Sequence, residues 1–107
     1  MAQLRGVNVA IMATEVVHNS EQQRYEVLVD GALAGFTVAR EGQDDVVVLP
    51  HTEIEPDRRG QGLGDILVQG ALEDLRRLGK QVDPRCPFVN QFMQDNQEFE
   101  DLRVGAA

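Results

Sequence analysis

Three glycines at alternate positions, in the stretch Arg58-Arg59-Gly60-Gln61-Gly62-Leu63-Gly64, constrain this chain more than any other feature of it. The stretch follows a strand-like run from Val46 to Ile54 and opens a helical pattern that lasts to about Gly79. Without Cβ atoms the backbone can be approached closely. The first amides of a helix have no intrahelical partner and carry the positive end of its dipole. A glycine turn feeding such a helix is an anion site, phosphate being the usual anion, and Arg58 and Arg59 at its lip add charge. The alternative is a plain glycine-rich turn, but three glycines so close to a helix start each cost helix propensity.

The rest of the chain reads as one small domain covering residues 1–107, with a single core. Residues 1–13 are a short strand at Val7 to Ile11 or a loosely held terminus. Glu15-Val16-Val17-His18 is brief and β-branched, and Arg24 to Val29 alternates with Tyr25, Val27 and Val29 on one face. Asp30-Gly31 is a hairpin signal, returning the chain as Leu33 to Arg40. Val46 to Ile54 is the most apolar strand, and Pro50, which has no amide to donate, marks an edge, an opening or a bulge in it. From Leu63 the period turns helical: Leu63, Ile66, Leu67, Ala71, Leu72, Leu75 and Leu78 make one stripe, and Gly79 stops it. Gln81 to Cys86 is extended and broken by Pro84. Pro87 starts a shorter helix with Phe88, Val89, Phe92 and Met93 on one side, and Phe99 and Leu102 anchor the tail. The expected class is α/β (α+β): a mixed, mostly antiparallel sheet with a central helix after the glycine loop and a shorter C-terminal helix.

Charge and cysteine content bound the function. A formal net charge of −8 argues against nucleic-acid or anionic-membrane partners, which need a dominant basic surface. One cysteine, Cys86, rules out a disulfide framework and a multi-cysteine metal site, and a free thiol fits the cytoplasm. No metal is expected. A dinucleotide fingerprint starting at Gly60 would need its third glycine where Asp65 stands, and a triphosphate loop would need a lysine that this loop lacks.

Arg59-x-x-Gly62-x-Gly64, after a strand and before an amphipathic helix, resembles the acetyl-CoA pyrophosphate loop of the GNAT N-acetyltransferase superfamily. With His51-Thr52-Glu53, Ala71-Leu72-Glu73 and Pro84-Arg85-Cys86-Pro87-Phe88-Val89, the chain is similar to the small YjdJ-type subfamily of GNAT-like proteins, from about Val16 to Leu102. The resemblance implies acetyl-CoA as cosubstrate, held by Arg58, Arg59, Gly60, Gln61, Gly62, Leu63 and Gly64. It implies transfer of the acetyl group to an amine, or by way of a cysteine thiol, on an unidentified acceptor; the alternative is a non-enzymatic acyl-CoA module. The subfamily's His-Pro-Glu-Tyr-like segment reads Asn96-Gln97-Glu98-Phe99 here. A tyrosine often reprotonates the CoA thiolate in larger GNAT enzymes, and neither Phe92 nor Phe99 can do so.

Three residues are candidates for chemistry. Glu53 and His51 share a face at the end of the apolar strand. Either would deprotonate an amine, a role that burial would favour for a carboxylate and that histidine fills unaided; otherwise both are solvated or bond amides freed by Pro50. Cys86 is a nucleophile, a thiol that pairs with CoA, or a small buried hydrophobe. The acceptor could be a cationic small amine or a protein, and the chain a monomer or a homodimer.

Overall fold

The computed structural model describes residues 13–106, so the candidate strand at Val7 to Ile11 lies outside the described residues. Seven strands and two α-helices follow one another as β1 (Thr14–Asn19), β2 (Arg24–Val29), β3 (Ala32–Val38), β4 (Arg40–Glu41), β5 (Val46–Val48), β6 (Thr52–Ile54), α1 (Leu63–Arg77), β7 (Gln81–Asp83) and α2 (Pro87–Asp95). Short 3-10 helices span Pro56–Arg58 and Gln97–Leu102.

The strands pair antiparallel in the order β1-β2-β3-β6, while β4, β5 and β7 form a second ladder whose β5–β7 pair is parallel. Asp30 at φ 50° and Gly31 at φ 83° turn the β2–β3 hairpin, as two-residue hairpin turns of the primed type require. The expected strand from Val46 to Ile54 is two strands. The run breaks at Leu49-Pro50-His51, because Pro50 has no N–H for the ladder. Around the break, Leu49 N–H reaches Asp83 O at 3.0 Å and Cys86 N–H reaches Leu49 O at 2.9 Å, while Val38 N–H takes His51 O at 2.8 Å. The chain therefore leaves its parallel partner β7 and continues beside β3 as β6. Past that point β6 pairs with β3 alone among the described strands.

Helix α1 covers one face of the sheet. Leu67, Val68, Ala71, Leu72 and Leu75 are buried against Tyr25, Val27, Val29, Val47, Val82, Val89 and Met93. Each fully buried leucine contributes about 2 kcal/mol of transfer free energy. Two members of the expected stripe, Ile66 and Leu78, are exposed, since they lie at its rim over the β1 edge. Gly79 ends the helix at φ 74°. Its N–H meets Arg76 O at 3.0 Å and Lys80 N–H meets Leu75 O at 2.9 Å, the paired bonds of a Schellman stop. On α2, Val89, Phe92 and Met93 are buried but Phe88 is not, a departure from the expected stripe explained below.

Tyr25 pins β2 to α1: its hydroxyl donates to Asp74 Oδ2 at 2.6 Å, and the ring stacks on His18 with centroids 4.4 Å apart. Burial, then the bond to Asp74, pushes the Tyr25 phenol above its ordinary range. A raised acid contributes stability that is complete below its unfolded value, about 10, and is lost as pH rises beyond it. Tyr25→Phe is expected to cost about 1.5–3 kcal/mol near neutral pH, the worth of a hydrogen bond to a carboxylate. It should also flatten the fall in stability above about pH 10, which urea denaturation on either side of that pH will show.

Candidate functional site

The turn Pro56–Arg58 delivers the chain to the glycine loop, where Gly60 takes φ 80° and Gly62 φ 77°. Both are left-handed conformations that glycine adopts without strain. Gly62 is the N-cap of α1, and no side chain caps the helix. The first-turn amides of Leu63, Gly64 and Asp65 therefore have no side-chain acceptor. A Cβ on Gly60 or Gly62 would meet nothing within 4 Å, so the backbone there is open to a ligand.

Gly64 serves a different purpose. A Cβ on it would stand 2.9 Å from the Phe88 ring, which leans on the start of α1. This is why Phe88 leaves the apolar stripe of α2: it spans the gap between the two helix beginnings and is 43% exposed. Between them lies a cleft of about 280 Å³ lined by Arg58, Arg59, Gly60, Gly62, Leu63, Gly64 and Asp65 with Ile54 and Phe88. A second cleft of about 620 Å³ shares Ile54, Arg59, Gly64 and Phe88 with it and continues to His51, Thr52 and Glu53. One trough therefore runs from the glycine loop to the end of β6.

Arg59 Nε donates to Ile54 O at 3.3 Å, and among the described residues neither Arg58 nor Arg59 makes an ion pair. Three arginines of the helical half are held elsewhere. Arg76 grips Asp101 through two bonds of 2.9 Å, which raise its already high pKa; Arg77 pairs with Asp74 at 2.6 Å and Arg85 with Asp83 at 3.0 Å. Gln61 is exposed and lines neither part of the trough.

His51 Nε2 and Glu53 Oε2 are 2.7 Å apart, with side chains 56% and 59% exposed. Of the settings open to the pair, burial beside apolar groups or exposure, the structure has exposure. The pair stands on the outer face of the sheet, opposite α1, with the Phe36 ring edge-on to His51 at 6.3 Å. Arg24 lies over Phe36 on that same face, 4.4 Å from its centroid.

Cys86 sits at the N-cap of α2 and is 5% exposed. It does not line the trough. Its Sγ donates to Thr52 Oγ1 at 3.4 Å, and Thr52 Oγ1 is 2.8 Å from Thr37 Oγ1. Thr52 thus stands between the thiol and the trough, and with Phe88 and Ile54 it is a site residue that sequence reasoning missed. Strand alternation was the available signal, because it puts Thr52 on the face opposite His51 and Glu53.

A family model described as GCN5-related N-acetyl-transferase matches residues 24–102, so the chain belongs to the GCN5-related N-acetyltransferase family. Members of this family use acetyl-CoA as cosubstrate, and the α+β fold agrees with the family's. No curated protein gives a match. Among the described residues no group of three or more histidines, cysteines or acids is placed to hold a metal ion, and no helix is long and apolar enough to cross a membrane.

Proposed function

We propose that the chain, as a cytoplasmic YjdJ-type member of its family, binds acetyl-CoA in this trough and transfers the acetyl group directly to an amine. The observation that carries the reading is the uncapped start of α1 opening into one trough with the His51–Glu53 pair. The pyrophosphate rests on the amides from Gly60 to Asp65, where the helix dipole and the unpaired charges of Arg58 and Arg59 favour an anion. The thioester then extends along β6. Glu53 takes the proton from an ammonium arriving over the outer face, and His51, bonded to it, holds the carboxylate in place. The freed amine attacks the thioester carbonyl, its nitrogen gives up the second proton to water, and the tetrahedral intermediate collapses with cleavage of the C–S bond, expelling CoA thiolate. An acidic chain with net charge −8 suits a cationic acceptor.

Direct transfer is preferred to a route through Cys86 because the thiol is buried behind Thr52. Incubated with acetyl-CoA and a panel of amines, the protein should release free CoA above the hydrolysis background. Glu53→Gln should lower that rate roughly 100-fold, the usual scale of a general base, while CoA binding measured by calorimetry persists. With acetyl-CoA and no amine, mass spectrometry should find no acetyl group on the protein; an adduct on Cys86 would establish the two-step route. Binding without release to any amine would identify a non-enzymatic acyl-CoA module instead.

A further inference from the structure

Expulsion of a thiolate requires a proton, and the phenylalanines at 92 and 99 have none to give. Both are buried against each other with ring centroids 6.1 Å apart. A different set of groups meets the trough. Cys86 Sγ, Thr52 Oγ1 and Thr37 Oγ1 form a chain with links of 3.4 Å and 2.8 Å, ending 3.4 Å from His51 O. Thr37 is fully buried, the one polar side chain so placed among the described residues. With a neutral thiol the hydrogens run one way: S–H to Thr52, Thr52 to Thr37, Thr37 to the His51 carbonyl. That last bond is long, and His51 O already accepts Val38 N–H at 2.8 Å, so losing it costs little. The chain can therefore reverse, with Thr37 donating to Thr52 and Thr52 donating to sulfur.

We propose that Thr52 relays the Cys86 proton to the trough and holds the Cys86 thiolate that results. This rests on the transfer reading above. When the intermediate collapses, the C–S bond breaks and its electron pair stays on the CoA sulfur. The Thr52 O–H bond breaks toward that sulfur, forming the CoA thiol, and the Cys86 proton re-forms the Thr52 hydroxyl. The charge then sits on Cys86 Sγ, where the new hydroxyl donates back to it and Thr37 supports that hydroxyl; Cys86 is the N-cap residue of α2, at the positive end of that helix's dipole. Cys86 regains its proton from water between turnovers. A buried thiol behind a wall hydroxyl is suited to this and unsuited to attack.

The single cysteine makes the test direct, because thiolate absorbance in the ultraviolet reports Cys86 alone, and the one tyrosine, Tyr25, stays neutral beyond its ordinary range. Thr52→Val removes the hydroxyl at nearly constant shape. Its thiolate should appear roughly one pH unit higher than in the wild type, because a charge-assisted donor is lost, and Thr52→Ser should restore the wild-type curve. In turnover, Thr52→Val should lower kcat roughly 100-fold, leave KM for acetyl-CoA within about twofold, and be rescued by Thr52→Ser. Superimposed titration curves for Thr52→Val and wild type overturn the proposal, as does an unchanged kcat. If the wild type binds CoA yet releases none with any amine, the transfer reading and the relay both fall, while the titration still decides whether Thr52 holds the Cys86 thiolate.

Discussion

Gly62→Asp is expected to weaken CoA binding about 100-fold or more while leaving the melting temperature within a few degrees of wild type. The two effects separate because of where Gly62 sits. Its φ of 77° is one that aspartate and asparagine accept better than other L-residues, and a Cβ there meets nothing within 4 Å. The helix it caps has no side-chain cap at present, so a carboxylate at its start is favourable to the fold. That same carboxylate would occupy the amides meant for the pyrophosphate and repel it. Gly62→Asn supplies the shape without the charge and should lose far less affinity. Calorimetry with CoA on the three proteins gives the comparison. Equal affinity for Gly62→Asp and wild type would remove the anion site from the loop.

Gly35→Ala should be the most damaging small substitution in the sheet, costing about 2 kcal/mol and lowering turnover with it. Gly35 lies on β3 opposite Ile54 of β6, and a Cβ there would stand 2.6 Å from the Glu53 carbonyl oxygen and 3.1 Å from the Ile54 Cα. Those are backbone atoms, which cannot step aside as a flexible side chain can. Relief has to come from moving β6, the strand that carries Glu53 and one wall of the trough. Urea denaturation measures the first effect, and CoA release at saturating acetyl-CoA measures the second. A protein as stable as wild type would mean that β6 already has room to shift.

What the sequence made legible was local. The spacing of Leu67, Ala71, Leu72 and Leu75 defined the buried side of α1, and Gly79 marked its end, because helix period and left-handed caps depend on neighbours in the chain. The hairpin at Asp30-Gly31 and the anion-binding shape of the glycine loop were readable for the same reason. Tertiary placement was not. Pro50 announced an interruption, but whether the strand would bulge, end or change partners depended on Asp83 O accepting from Leu49 N–H and on Cys86 N–H donating to Leu49 O. Phe88 matched a helical stripe in its spacing and was drawn outward by the bare backbone of Gly64. Glu53, at the end of an apolar strand, could be buried or solvated by its sequence alone, and after the break it emerges on the uncovered side of the sheet. Arg76, Arg77 and Arg85 are engaged by Asp101, Asp74 and Asp83 in space, the first of these pairings reaching across 25 residues of chain.

The interruption at Leu49-Pro50-His51 has a consequence for how such a small protein can diversify. The opening beside β6 is held by main-chain bonds and by a residue that lacks an amide, and does not depend on the bulk of the groups facing it. Substitutions along the walls can accordingly retune which molecule is accepted without shutting the aperture. Architecture and selectivity are thereby uncoupled, and a lineage built on this frame is free to explore new chemistry at little risk to its folding.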